Sequence, residues 1–246
     1  MTGTSEDRFL GGRVIVRQPV DGFRAGLDAV MLAAAIPASA GDTTLELGAG
    51  AGTAGLCLAK RVENLTITGL EIDGRLTDIA NANAAANGVD ERVLFVTGNA
   101  LDPPAEFRKP FDHVFCNPPF HDGQASPDAA RARALQDKGR LADWLAAGLK
   151  RTASGGTFTL IIRADRLGES LAVLPIRGVT IFPLWPRVGE PAKRVIVQVR
   201  NGARTPLGML PGLVLHDAGG GYTKEADAVL RDGAALTFRR AQREGN

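Results

Sequence analysis

The stretch Leu45-Glu46-Leu47 runs without interruption into Gly48-Ala49-Gly50-Ala51-Gly52-Thr53-Ala54-Gly55, and few folds accommodate that join. An apolar strand that ends in closely spaced glycines and restarts as a helix must turn sharply. It leaves bare backbone and a helix N-terminus at the strand's carboxyl end. Strand and helix signals alternate on both sides of this turn. Residues 43–47 predict a strand and 53–61 a helix; 65–71 predict a strand and 76–87 an alanine- and asparagine-rich helix stopped by Gly88. Strands are expected over 93–97 and 111–116, then a helix over 141–151 and a strand over 156–162. Alternation at this pitch predicts a parallel sheet covered by helices on both faces.

The last third changes character. Residues 179–185 and 194–200 read as two strands with no helix between them, an antiparallel hairpin added to the sheet edge. With these the sheet is expected to have seven strands, mostly parallel, in a Rossmann-like α/β architecture. Ahead of it, residues 1–22 read as loop or short strand, with 13–17 alternating. A helix is expected over 26–35, with Asp28 in its first turn and Pro37 ending it. No linker divides the chain. The expectation is one domain over 1–246: an N-terminal strand and helix in 1–40, the core in 41–205 and a closing segment in 206–246.

An apolar content of 44% and a charged content of 23% suit a globular protein. No apolar run approaches the ~20 residues of a membrane span, and the polar residues 1–8 carry no signal-peptide core. A cytoplasmic protein is expected. Cys57 and Cys116 have no metal-ligand spacing and read as buried thiols; His113 and His216 are isolated, so no metal is expected. The net charge of +2 is unevenly spread. Residues 1–150 hold 15 Lys and Arg against 19 Asp and Glu, and residues 151–246 hold 14 against 8. The basic C-terminal part fits a polyanion such as RNA, or ordinary surface arginines.

The glycine turn is a nucleoside-cofactor signal of two possible kinds. Gly50, Gly52 and Gly55 satisfy G-x-G-x-x-G, and Glu71 closes the next strand, where a carboxylate can accept from both ribose hydroxyls. That describes an NAD site. The register Glu-x-Gly-x-Gly-x-Gly beginning at Glu46, inside the strand, instead looks like the first motif of S-adenosylmethionine (SAM) methyltransferases. A turn with a purely structural role is the third reading.

A second motif decides between the cofactors. Residues 111–116 end in Asn117-Pro118-Pro119-Phe120. Two prolines cannot donate to a ladder or continue a helix, so they make a rigid tip from which the Asn117 amide and the Phe120 ring project. An amide and an aromatic face suit a flat group hydrogen-bonded on one edge and stacked on one side, as a nucleobase is. Nicotinamide enzymes have no use for such a tip, whereas SAM enzymes that methylate a conjugated nitrogen do.

With both motifs present, the chain resembles the class I SAM-dependent methyltransferases, and within them the bacterial tRNA(Val) adenine-N6 methyltransferases. The resemblance covers nearly the whole chain: residues 22–33 (GFRAGLDAVMLA), Ser126-Pro127 and 131–134, Ala192-Lys193-Arg194-Val195, and Leu213-Val214-Leu215-His216 leading to Tyr222-Thr223-Lys224-Glu225. It implies SAM as cofactor, held by Glu46, Gly48, Gly50, Gly52, Glu71, Asn99 and Asn117. It also implies an RNA substrate, tRNA methylated at an anticodon-loop adenine. Asn99 stands where many relatives carry Asp against the SAM adenine, and Phe120 where the tRNA enzymes commonly carry Tyr. Asn-Pro-Pro-Phe also resembles ribosomal RNA guanine-N2 methyltransferases, and Asn-Pro-Pro-Tyr enzymes methylate a glutamine of release factors. A catalytically inactive SAM-fold RNA binder is the non-enzymatic alternative.

The catalytic set implied is Asn117, Pro118, Pro119 and Phe120. The Asn117 side-chain oxygen and the Pro118 carbonyl would accept the two N–H groups of the target amine, while Phe120 stacks on the base. Asp28 reads equally as a helix cap or a ligand contact. His121 reads as a solvent-facing loop residue and Trp185 as core. Arg187, Lys193 and Arg194 read as phosphate contacts or as solvated surface.

Overall fold

A computed structural model describes residues 3–119 and 141–238 of the chain. Strands β1 (Thr4–Phe9) and β2 (Val14–Pro19) form a separate antiparallel hairpin, joined by a tight turn over Leu10–Gly12. Helix α1 (Leu27–Ala35) follows. The core then alternates as expected: β3 (Thr43–Leu47), α2 (Thr53–Arg61), β4 (Thr66–Glu71), α3 (Gly74–Ala86), β5 (Val93–Thr97) and β6 (Phe111–Cys116). After α4 (Leu141–Arg151) come β7 (Thr152–Arg163), a short α5 (Leu167–Leu171), β8 (Val179–Trp185) and β9 (Arg194–Arg200). Two-residue strands β10 (Gly208–Met209) and β11 (Leu213–Val214) precede α6 (Lys224–Asp232).

The main sheet runs β10-β8-β9-β7-β6-β3-β4-β5, with β11 also on β8. Its nine strands are the seven expected plus the two short ones, which extend the β8 edge in parallel. β9 is antiparallel to both β7 and β8, so the expected hairpin is present, with its second strand on the inner side. The chain builds outward from β3 through β4 to β5, then returns to place β6 on the other side of β3. Such a reversal opens a crevice at the carboxyl ends of the two strands that flank it.

Two cores cover the two faces. On one, Leu32 and Ile36 of the α1 region and Leu56 and Leu58 of α2 pack with Phe115, Ile161 and Ile196; on the other, Leu141 and Leu145 of α4 pack with Leu45, Val114, Phe158 and Val197. Strands buried on both faces need apolar runs, as Val114-Phe115-Cys116 of β6 and Val195-Ile196-Val197 of β9 supply. β7 starts four residues before the expected strand, because Thr152 pairs with Phe111 and a register shift follows before Thr157 pairs with His113. Gly155, at φ +78°, carries the backbone through that irregularity.

The asparagines of α3 and of its C-cap act as substitute strands. Asn87 accepts from Ile15 N–H and donates to Ile15 C=O at 2.9 and 2.6 Å, Asn83 exchanges the same pair with Arg17 at 2.9 Å each, and Asn81 does so with Phe95. Each carboxamide completes a ladder position that would otherwise need another strand or water. No described helix is long and apolar enough to cross a membrane.

Candidate active site

The crevice predicted by the β3/β6 reversal is where the sequence motifs converge. Leu47 pairs with Cys116 on one side and Leu70 on the other, so Gly48, Asn117 and Glu71 leave adjacent strand ends together. Asn99 follows β5, one strand beyond β4 on the same rim.

The glycines divide by what surrounds them. A Cβ on Gly48 would lie 2.9 Å from the benzo edge of Trp144, and one on Gly52 only 2.6 Å from the Phe95 ring. Phe95 is buried beneath the turn and also limits Gly69. A Cβ on Gly50, in contrast, would meet nothing within 4 Å. All three have positive φ, between +57° and +83°. Gly48 and Gly52 therefore admit aromatic core, while Gly50 leaves a bare backbone facing open space. Trp144 and Phe95 belong to this arrangement although the motif spacing does not reveal them.

Two buried carboxylates brace the turn. Glu46 Oε2 accepts from Gly55 N–H at 3.0 Å in the first turn of α2, and burial pushes its carboxyl up to about 8, with the Glu71 charge adding to the rise. Glu71 Oε2 accepts from Gly50 N–H at 2.7 Å and its Oε1 from Asp73 N–H at 3.0 Å. Burial raises the Glu71 carboxyl as well, against these amide donors. Asn83, besides holding β2, donates to Ala51 C=O at 3.0 Å and so ties the turn to the N-terminal hairpin.

Asn117 differs from these. Its Oδ1 is buried yet accepts no hydrogen bond among the described residues. A buried carbonyl oxygen without a donor costs roughly 1–3 kcal/mol, so a bound group that donates to it would be stabilised there. Pro118 is buried and Pro119 exposed; Phe120 and His121 lie outside the described residues. Asn99 Oδ1 accepts from Leu101 N–H at 2.8 Å, which fixes the amide orientation and leaves one lone pair.

The fit to a nucleoside-bearing methyl donor is direct. Glu71, at the end of β4, places a carboxylate where it can accept from a ribose hydroxyl, and Gly50 permits close approach.

Other candidates fall elsewhere. Asp28 neither caps α1 with its side chain nor stands free; its Oδ2 accepts from Arg194 Nε at 2.8 Å. His113 is held by Thr157 Oγ1 at 2.8 Å and Asp42 Oδ2 at 3.1 Å, four residues down β6 from the tip. Burial lowers its pKa, and the group is structural. Cys57 and Cys116 are buried thiols raised by burial. No metal-holding cluster occurs among the described residues. Trp185 is only half-buried, contrary to its reading as core.

Comparison with known proteins agrees with this geometry. Residues 25–143 match the methyltransferase small domain model. A tRNA1(Val) (adenine(37)-N6)-methyltransferase of Porphyromonas gingivalis strain W83 is 31% identical over 236 residues, spanning 88% of this chain and 91% of that protein. The protein of the same name from Shewanella amazonensis is 29% identical, over 87% and 94%. Among solved structures, a predicted O-methyltransferase from Agrobacterium tumefaciens superposes with a TM-score of 0.72 at 25% identity, over 87% of this chain and all of that one. A geranyl diphosphate methyltransferase in complex with SAM shares the fold at a TM-score of 0.51. On extent and identity together, the chain belongs to the SAM-dependent tRNA1(Val) (adenine(37)-N6)-methyltransferase family.

Proposed function

We propose that this enzyme methylates the exocyclic N6 of an adenine in the anticodon loop of tRNA. The observation that carries the reading is the unsatisfied, buried Oδ1 of Asn117 on the same strand-end rim as the glycine turn. SAM supplies an electrophilic sulfonium methyl when bound, with Glu71, Gly50 and Asn99 as its holding residues and Glu46 bracing the turn beneath.

The amine of adenine is a poor nucleophile because its lone pair is delocalised into the ring. Asn117 Oδ1 accepts one N–H and the Pro118 carbonyl the other. This draws the nitrogen toward tetrahedral geometry and localises the pair for in-line attack. Bound SAM would supply the methyl group and leave as S-adenosylhomocysteine, its sulfur retaining the bonding pair. The methylated nitrogen, briefly cationic, releases its proton through these acceptors to solvent. No strong base is needed. Phe120 stacks on the base, which leaves its own stack most easily in a single-stranded loop. The rigid Pro118-Pro119 backbone holds both acceptors in place. A cytoplasmic setting follows from a tRNA substrate.

The test is transfer of labelled methyl from SAM to unmodified tRNA, ribosomal RNA and a release factor in parallel, followed by nucleoside and peptide analysis. N6-methyladenosine in tRNA supports the reading. Label in guanosine or in glutamine moves the substrate to a rival.

A further inference from the structure

The rim that carries the glycine turn and Asn117 continues past β7 and β9 to β8, and a second concavity opens there. A cleft of about 540 Å³ lies between the β8–β9 turn and β11, lined by Trp185, Arg187, Val188, Glu190, Pro191 and Val214. β8 runs parallel to β6 through the antiparallel β9, so Trp185 at its end faces the same edge as Asn117. β8 stands three strand spacings from β6, which separates the two by roughly 14 Å.

The lining is unusual for surface. Trp185 is half-buried and its indole N–H donates to Pro211 C=O at 2.9 Å, which fixes the ring. Val188, at the tip of the turn, is 86% exposed. A fixed indole and an exposed aliphatic group make an apolar platform. The cations around it are available in different degrees. Arg194 is committed to Asp28, whereas exposed Lys193 makes no ion pair among the described residues. Arg187 pairs with Glu190 only through an exposed 3.3 Å contact, which solvent screens heavily. Glu190 is the one carboxylate in the lining. Arg187 in the lining and exposed Lys193 two residues beyond Pro191 outnumber Glu190, a balance that suits a polyanion better than an acidic peptide.

We propose that this cleft takes an unpaired nucleobase of the same RNA whose adenine enters at Asn117. Trp185 is its stacking face, Val188 packs against its edge, and Arg187 and Lys193 hold the flanking phosphates. The inference rests on the RNA reading above and adds a second anchoring point to it. Stacking on an aromatic platform flanked by cations is sequence-tolerant and suits a single-stranded segment. Its role is to fix the distance between a neighbouring nucleotide and the target, so it acts on RNA affinity rather than on the methyl-transfer step.

The test uses the full chain and an unmodified tRNA transcript. The chain has two tryptophans, so the difference in tRNA quenching between wild type and Trp185→Phe isolates the Trp185 signal. Val188→Asp and Lys193→Glu, both at exposed positions, are assayed alongside. The expected result is that quenching disappears with Trp185→Phe and that KM for tRNA rises about 5-fold or more in each exposed variant, with kcat and SAM Kd unchanged. Unaltered KM in both exposed variants, or equal quenching with and without Trp185, overturns the proposal. A wild type that fails to bind tRNA overturns it too. Binding with Trp185 quenching but no methyl transfer to adenine keeps the cleft and rejects the adenine reading.

Discussion

Glu71 Oε2 accepts a 2.7 Å hydrogen bond from the backbone N–H of Gly50, so the residue that closes β4 also sets the shape of the turn after β3. The same carboxylate holds Asp73 N–H through its other oxygen. Replacing Glu71 with Ala removes the ribose acceptor and the brace together. Hydrogen bonds to charged groups are worth about 1.5–3 kcal/mol, so SAM Kd should rise roughly 10- to 100-fold by calorimetry. An unchanged Kd would remove Glu71 from the binding site.

Gly50 and Gly52 separate conformational need from packing need. Gly52→Ala places a methyl 2.6 Å from Phe95 at φ +83°, and should lower stability by about 2 kcal/mol or more in denaturant unfolding. Gly50→Ala meets no neighbouring atom, so its stability cost should stay near the 1–2 kcal/mol of a left-handed alanine. Its larger effect should be on SAM binding. Equal stability losses with SAM affinity spared in both would contradict the division.

Glu46 makes stability depend on pH. Its carboxyl, ordinarily at 4.5, is raised to about 8 in the folded protein by burial. Between these values the folded state keeps a proton that the unfolded chain has released. Stability is therefore highest at the acid end of that window and falls as pH rises toward 8. Glu71 contributes in the same direction. Glu46→Gln keeps an acceptor for Gly55 N–H and removes the titration. Each kcal/mol moves Tm by ~2–4 °C at this size, so the wild-type Tm should drop several degrees more than the variant's across that window. Parallel curves would contradict the assignment.

Much of the fold is legible in the sequence because apolar runs bounded by glycine or proline admit one assignment. β3, β5, β6, β8, β9, α2 and α4 appear at their expected bounds. β1 is not legible: Thr4-Ser5-Glu6-Asp7-Arg8 is polar, and it is a strand only because β2 supplies its ladder. α6 lies in a segment given no helix above, although its ends carry cap signals: Thr223 accepts from Ala226 N–H at one end and Gly233 is left-handed at the other. The expected cofactor glycines do converge, yet the sequence cannot separate Gly50 from Gly48 and Gly52. That depends on where Phe95 and Trp144, distant in the chain, place their rings.

Asn83 was the least visible contributor. An asparagine in a helix interior reads as solvent-facing, but this one is buried and makes three hydrogen bonds, to both sides of Arg17 and to Ala51. Asn83→Ala should cost about 2–4 kcal/mol because it strands buried backbone groups. It should also weaken SAM binding through the loosened turn, measured by denaturation and calorimetry on the same sample. A neutral variant would mean that water substitutes fully.

The proposed mechanism makes the orphaned oxygen of Asn117 the acceptor for the target amine. The most direct measurement is single-turnover methyl transfer by Asn117→Ala, with SAM Kd determined in parallel. Removing a preorganised acceptor of this kind costs about 100- to 1,000-fold in rate. We expect a loss of that order with SAM binding changed only slightly and the fold intact. A rate within a few-fold of wild type would show that the buried oxygen plays no part in the chemistry.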